Sequence, residues 1–177
     1  KGKFISILNS DDIYEEKVLF GILEYMRDSP NVDVFYGKVK YIDQIDNTSY
    51  MRIPNISHMK YRMSLFHSSM FVSKSAYDSV GLYSEDYHLA MDSEWCHRAM
   101  RAGANFVYID KVISSMALGG RSDINYVASL REYRKSVLDH NIANVLLANI
   151  SFIVIFLIKS ITRIRLINRL KNFILRS

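Results

Sequence analysis

A short apolar run at residues 4–8 closes on four polar residues, Asn9-Ser10-Asp11-Asp12. Apolar side chains then recur at Val18, Leu19, Ile22, Leu23 and Met26. The first stretch has the length of a strand, and the second has the 3.6-residue period of a helix with one buried side. The chain therefore opens as strand, carboxylate-bearing turn and helix. A one-sided helix must cover something, and a sheet face is the nearest surface available, so this unit alone predicts layers of helix on sheet.

The remainder repeats that alternation. Pro30 and Asn31 stop the first helix, and residues 32–42 read as a strand with a bulge at Gly37. Residues 43–55 read as loop, 65–72 as a strand, and 75–80 and 92–102 as helices ended by Gly81 and Gly103. Two further strands are expected at 105–109 and 112–118, before Gly119-Gly120. No Gly or Pro follows Gly120, so helix is expected from Asp123 to the end. There is no internal repeat. Of the 177 residues, 49% are hydrophobic and 23% charged, with 7 Gly and 2 Pro, which excludes a disordered tail, a collagen-like fibre or a low-complexity linker. One domain is expected at this length, burying roughly 70% of the surface it exposes when unfolded. Cys96 is the single cysteine, so neither an intramolecular disulfide nor a multi-cysteine zinc site is available, and its place inside a helix suggests packing. The chain begins Lys1-Gly2-Lys3 and runs directly into the apolar stretch, which reads as a fragment of a longer chain.

Charge excludes one partner class. The net charge is +5, but residues 159–177 contribute +6 through Lys159, Arg163, Arg165, Arg169, Lys171 and Arg176 with no acid, which leaves residues 1–158 at −1. A nucleic-acid interface needs Lys and Arg spread over a folded face. No nucleic-acid partner is therefore expected.

Asp11 and Asp12 sit where a strand ends, the edge of an open α/β sheet at which ligands bind. Two carboxylates there can hold Mg²⁺ or Mn²⁺, whose remaining positions are filled by water and phosphate oxygens. The same Asp12, followed by Glu15, also reads as a helix-capping pair. Asp92 precedes a helix, where it serves either as general base toward a hydroxyl or as an N-cap. His67 lies beside Ser68 and Ser69, but no G-x-S-x-G elbow accompanies it, so a serine hydrolase is disfavoured. Gly119-Gly120-Arg121-Ser122 supplies flexibility, a cation and a hydroxyl suited to phosphate oxygens, or simply the entry to a helix.

The order and spacing of these segments resemble the C-terminal two-thirds of a family 2 glycosyltransferase of the GT-A fold, over residues 1 to about 125. The carriers are GKFISILNSDD at 2–12, DVFYGKVKYID at 33–43, HSSMFVSKSAYDSVGLYSEDYHLAMDSEWCHRAMRAG at 67–103, and ALGGRS at 117–122. The resemblance implies a partial GT-A, Rossmann-like mixed α/β sheet flanked by helices over 1–125, followed by a C-terminal helical region at 126–177. It implies a metal site for Mn²⁺ or Mg²⁺ at Asp12 and Asp11, with Asp12 the direct ligand, and a catalytic base at Asp92. It further implies donor or acceptor contacts at His67 and at Gly119, Gly120, Arg121 and Ser122. Members often carry Glu-Asp at the base, where this chain has Met91-Asp92. The implied activity is inverting transfer of a sugar from a nucleotide-diphosphate-sugar, a UDP-sugar first among them, to a saccharide or lipid-linked saccharide in surface polysaccharide or glycolipid assembly. The nucleotide-binding half that precedes the Asp pair in the family is absent from this sequence, so the 177 residues alone are expected to be nearly inactive. The alternative is an inactive remnant or a membrane-associated interaction module.

Residues 142–158 form an uncharged apolar run at the lower limit for crossing a bilayer. Beyond it, Arg165, Arg169, Asn172 and Arg176 share one helical stripe, with Ile161, Ile164, Ile167, Leu170, Phe173 and Ile174 on the other sides. This pattern suits a helix lying in a membrane interface, with Arg165, Arg169 and Arg176 meeting anionic headgroups, or else a core helix followed by a solvated charged end or an oligomer contact. A cytoplasmic protein held peripherally at the inner face of the membrane is expected.

Overall fold

The computed structural model describes residues 2–43 and 47–174, with side chains described as far as Thr162. Strands are β1 (Phe4–Ile5), β2 (Ile13–Tyr14), β3 (Val34–Asp43), β4 (Thr48–Arg52), β5 (Met70–Ser73) and β6 (Phe106–Ala117). Helices are α1 (Val18–Asp28), α2 (Lys74–Val80), α3 (Met91–Arg101), α4 (Arg121–Ile124), α5 (Tyr126–Asp139) and α6 (Val145–Ile174). Two 3₁₀ turns, Ile56–Lys60 and His67–Ser69, precede β5.

The fold is α/β, a mixed sheet flanked by helices. Strand order is β1-β5-β3-β6-β2, with β4 paired to β3. β3 and β6 run parallel from Val34↔Phe106 to Ile42↔Ala117. On its other edge β3 pairs antiparallel with β5 through Val34–Tyr36 and with β4 through Val39–Asp43. Consecutive residues Val34, Phe35 and Tyr36 are all buried, as a strand covered on both faces requires. One face packs Val34, Tyr36 and Val72 against Trp95, Cys96 and Ala99 of α3 and Ala76 and Tyr77 of α2. The other packs Phe35, Phe71, Ile109 and Ile113 against Val18 and Ile22 of α1.

The α2–α3 corner is tied by side chains. Gly81, at φ +90°, ends α2, and the Trp95 indole N–H donates to its carbonyl at 2.8 Å. Arg98 donates to the carbonyls of Val80 at 2.5 Å and Leu82 at 2.7 Å, placing a cation at a helix C-terminus. The same guanidinium grips buried Glu94 at 2.7 and 3.0 Å, and His140 reaches that carboxylate at 2.9 Å. His97 joins three elements: its ring meets Met59 O at 3.1 Å and Ser136 Oγ at 2.7 Å. Burial pulls its pKa down to about 4, so it is a neutral core histidine. Cys96 is fully buried and burial pushes its thiol upward, in keeping with a packing role.

Several local expectations are corrected. The strand expected at 4–8 is confined to Phe4–Ile5, where its one ladder partner, the short β5, can reach it. The loop expected at 43–55 contains β4, whose residues 48–51 are exposed and so show no apolar alternation. The first part of the strand expected at 65–72 is a 3₁₀ turn, held by Ser69 Oγ donating to Phe66 O at 3.0 Å. The two strands expected at 105–109 and 112–118 are one strand, β6, whose exposed Asp110 and Lys111 sit at a register irregularity opposite Gly37 and Lys38. The continuous helix expected after Asp123 is broken at 140–144 without Gly or Pro. Asn141 adopts φ +51°, and Asn144 Oδ1 accepts the Leu147 N–H at 2.8 Å, capping α6.

The bulge expected at Gly37 is present. A Cβ there would lie 2.6 Å from Ile113 Cγ1 and 2.9 Å from Lys111 O. Gly37→Ala is therefore expected to destabilise the fold by ~1–3 kcal/mol, read as a lower urea midpoint. Adding Ile113→Val should recover little of that loss, because valine sheds only Cδ1 and keeps the γ carbon that makes the closest approach, and the Lys111 carbonyl also stays in the way.

Candidate functional site

Asp12 is placed by the two-residue ladder that follows it. β2 pairs Ile13 and Tyr14 with Ser115 and Ser114 of β6, and the Glu15 N–H donates to Ile113 O at 2.9 Å. Ser115 Oγ donates to Glu15 Oε1 at 2.6 Å, so Glu15 is committed to the sheet. The capping reading of Asp12 and Glu15 is thereby overturned: α1 begins after Lys17, which is left-handed at φ 59°, with no side-chain cap. Asp12 instead turns inward and is 7% exposed, while Asp11 beside it is exposed.

Two elements distant in sequence close on Asp12. His67, in the turn before β5, places Nε2 3.6 Å from Asp12 Oδ2 and Nδ1 3.6 Å from Asp92 Oδ2. Asp92 lies in the first turn of α3. It is not the N-cap, which is Ala90 without a side-chain bond. Its Oδ1 accepts the Ser93 N–H at 2.7 Å, leaving Oδ2 directed at His67. The Asn9 side-chain amide meets His67 Nε2 at 2.9 Å. The structure thus brings Asp12, His67 and Asp92 into one cluster with the imidazole between two carboxylates.

The electrostatics follow from that arrangement. Burial raises the Asp12 pKa, reinforced by Asp11, and outweighs the lowering by His67. Asp12 Oδ2 is buried and accepts no hydrogen bond. Burial acts on His67 in the opposite sense, lowering it. The hydrogen bond and charge of Asp92, with the charges of Asp12 and Asp11, overcome burial and leave its pKa raised.

The loop carrying Asp92 is held from α5, a support that sequence reasoning missed. Glu132 Oε2 accepts the N–H groups of His88, Leu89 and Ala90 at 3.0, 2.8 and 3.0 Å. No motif surrounds Glu132, and the single signal was an acid on a helix. Ser122 Oγ donates to Leu89 O at 3.3 Å, so one residue of the 119–122 loop braces the same segment. Among the described residues no hydrogen bond or ion pair joins Gly119, Gly120 or Arg121 to the three-residue cluster, and Arg121 is exposed. The side chains of Arg165 and Arg169, and all of Arg176, lie outside the described residues.

Among the described residues no three His, Cys, Asp or Glu side chains converge as a metal cage. A cation that keeps water and phosphate ligands asks the protein for one or two carboxylates, and the buried Asp12 Oδ2, which accepts no hydrogen bond, fits that demand. No protein-family model matches the chain, and no curated protein matches it.

Because His67 titrates above the ordinary imidazole value of about 6.5, its ion pairing stabilises the fold fully below that pH. The contribution is lost as pH rises through the raised value. An NMR titration of the His67 ring should give a pKa above the ordinary value, and Asp92→Asn should lower it. An unshifted titration in that variant would remove Asp92 as its partner.

Proposed function

We propose that the chain carries the metal and general-base half of an inverting glycosyltransferase that uses a nucleotide-diphosphate-sugar. The observation that supports this is the meeting of Asp12, His67 and Asp92, with a buried carboxylate oxygen that accepts no hydrogen bond at one end and a second carboxylate at the other. Asp12 Oδ2 would hold Mn²⁺ or Mg²⁺, with exposed Asp11 adding negative charge beside it. When bound, that cation offsets charge on a leaving diphosphate. Asp92 Oδ2 takes the acceptor hydroxyl proton as the oxygen bonds to the anomeric carbon, and the bond from that carbon to the diphosphate oxygen breaks. Ser93 and the Glu132-tethered loop fix the orientation of Asp92. His67 holds the two carboxylates in register and screens their repulsion.

Separable effects test this reading. Asp12→Ala should abolish Mn²⁺ binding, measured by paramagnetic broadening of the Asn9 and His67 resonances. Asp92→Asn should leave that binding in place and lower sugar transfer by about 10²–10⁴-fold in the chain completed with a nucleotide-binding half. Mn²⁺ broadening that survives Asp12→Ala would defeat the assignment. A remnant without catalysis predicts no specific broadening in either protein.

α6 is long and apolar enough to cross a membrane: Val145–Thr162 has a mean hydropathy of 2.2, with 6% of that window buried. Leu146, Ile150, Ile153, Leu157 and Ile161 recur on one exposed side. The opposite side is occupied. Phe156 stacks on Tyr126 at 6.1 Å, Arg134 donates to Asn149 at 2.7 Å, and Lys159 pairs with Asp123 at 3.3 Å. A spanning α6 would drag these charged residues into hydrocarbon. The packing therefore favours a helix lying at a membrane surface over one that crosses it. The basic residues of 159–177 suit an anionic surface, which we assign to the cytoplasmic inner face where a lipid-linked acceptor is offered. Deleting residues 159–177 should release the protein from anionic vesicles in a flotation assay. Undiminished flotation would exclude that segment as the anchor.

A further inference from the structure

The β3–β4 hairpin carries an aromatic stack that neither the core nor the acid cluster uses. Tyr41 and Tyr50 are direct cross-strand partners, with ring centroids 5.5 Å apart and planes 18° from parallel. Tyr41 is the inner ring and meets Phe66 edge-on at 6.0 Å and 83°. Tyr50 is the outer ring and is 46% exposed. The Arg52 guanidinium, two residues on, sits 5.7 Å above Phe66. The stack borders the cluster through Phe66, which directly precedes His67, the residue that meets Asp92 at 3.6 Å.

We propose that Tyr50, braced by Tyr41 and flanked by Arg52, is a stacking subsite for a hexopyranose ring of the acceptor, beside Asp92. This rests on the transferase reading. A pyranose ring offers one face of axial C–H groups and a rim of hydroxyls. The face matches a flat apolar plate, and the rim matches the guanidinium donors and the tyrosine hydroxyl. A lipid chain would match the plate and leave Arg52 with nothing to bond. A ring already fixed by its neighbour loses little freedom on binding, which removes part of the cost of holding a sugar ring against it. The acceptor hydroxyl would then be presented toward the carboxylate that removes its proton.

The test is saturation-transfer NMR on the whole 177-residue chain with the methyl hexopyranosides of glucose, galactose, mannose and N-acetylglucosamine. Transfer to ring C–H protons of at least one glycoside is expected, weakened about ten-fold in affinity by Tyr50→Ala and retained by Tyr50→Trp. Arg52→Gln should weaken it as well. No transfer to any of the four, or transfer indifferent to both Tyr50→Ala and Arg52→Gln, overturns the subsite. If Tyr50→Ala fails to fold, retention in Tyr50→Trp with loss in Arg52→Gln supports it, and the reverse overturns it. Mn²⁺ broadening at Asn9 and His67 reads the transferase assignment independently. Tyr50-dependent sugar binding without Mn²⁺ binding keeps a saccharide site and removes the transferase. Mn²⁺ binding without sugar binding does the opposite.

Discussion

The parallel pairing of β3 with β6 is the constraint from which the rest is built. A parallel pair cannot close through a hairpin, so the chain between the two strands must cross over, and here the crossover holds β4, β5, α2 and α3. Because β3 is buried on both faces, helices are needed on both sides, which sets α1 against α3 across the sheet. The irregularity at Gly37 and Lys38 divides β3 into a first part paired with β5 and a second part paired with β4. The acid cluster lies beyond that division, where β2 joins β6 through Ser114 and Ser115.

Within that frame, three short polar segments meet because each ends an element anchored to the sheet. Asp12 leads into β2, His67 into β5, and Asp92 opens α3. Ser68, beside His67, bonds Ser114 of β6 at 2.8 Å, so the histidine turn and the strand next to Asp12 share a hydroxyl pair. Behind the site, Glu94, Arg98 and His140 fix α3 by charge, and neutral His97 fixes it by hydrogen bonds to Ser136 and Met59 O. The two acid systems behave differently for a physical reason. Glu94 has the Arg98 guanidinium on both oxygens and His140 on one, whereas Asp12 has one oxygen buried with no hydrogen bond.

Periodicity made the helices legible because their buried residues recur every turn, as Val18 and Ile22, or Trp95 and Ala99, do. The strand expected at 32–42, observed at Val34–Asp43, was legible from alternation, with Val34 and Tyr36 before Gly37 and Val39 and Tyr41 after it. β4 was not, since a hairpin edge exposed at four of its five residues carries no alternation. The chain break before α6 was hidden because asparagines supplied the left-handed turn and the cap. At the site, Asp12 and Asp92 stood out as acids at element ends, yet the choice between capping and chemistry turned on hydrogen bonds absent from a sequence. The direct contact of His67 with both acids follows from the register of β5 on β3. Neither periodicity nor spacing expresses that register.

Glu132 has a consequence for motion. Three successive amides, those of His88, Leu89 and Ala90, depend on one carboxylate oxygen carried by α5. All three lose their acceptor at once when the Glu132 carboxylate moves away, so they exchange with solvent as a group when that stretch of α5 loosens. The mobility of Asp92 is then governed by the integrity of a helix far along the chain as well as by its own bond to the Ser93 amide. A perturbation of α6 that works α5 loose would blur the position of Asp92 without touching its neighbours in the cluster.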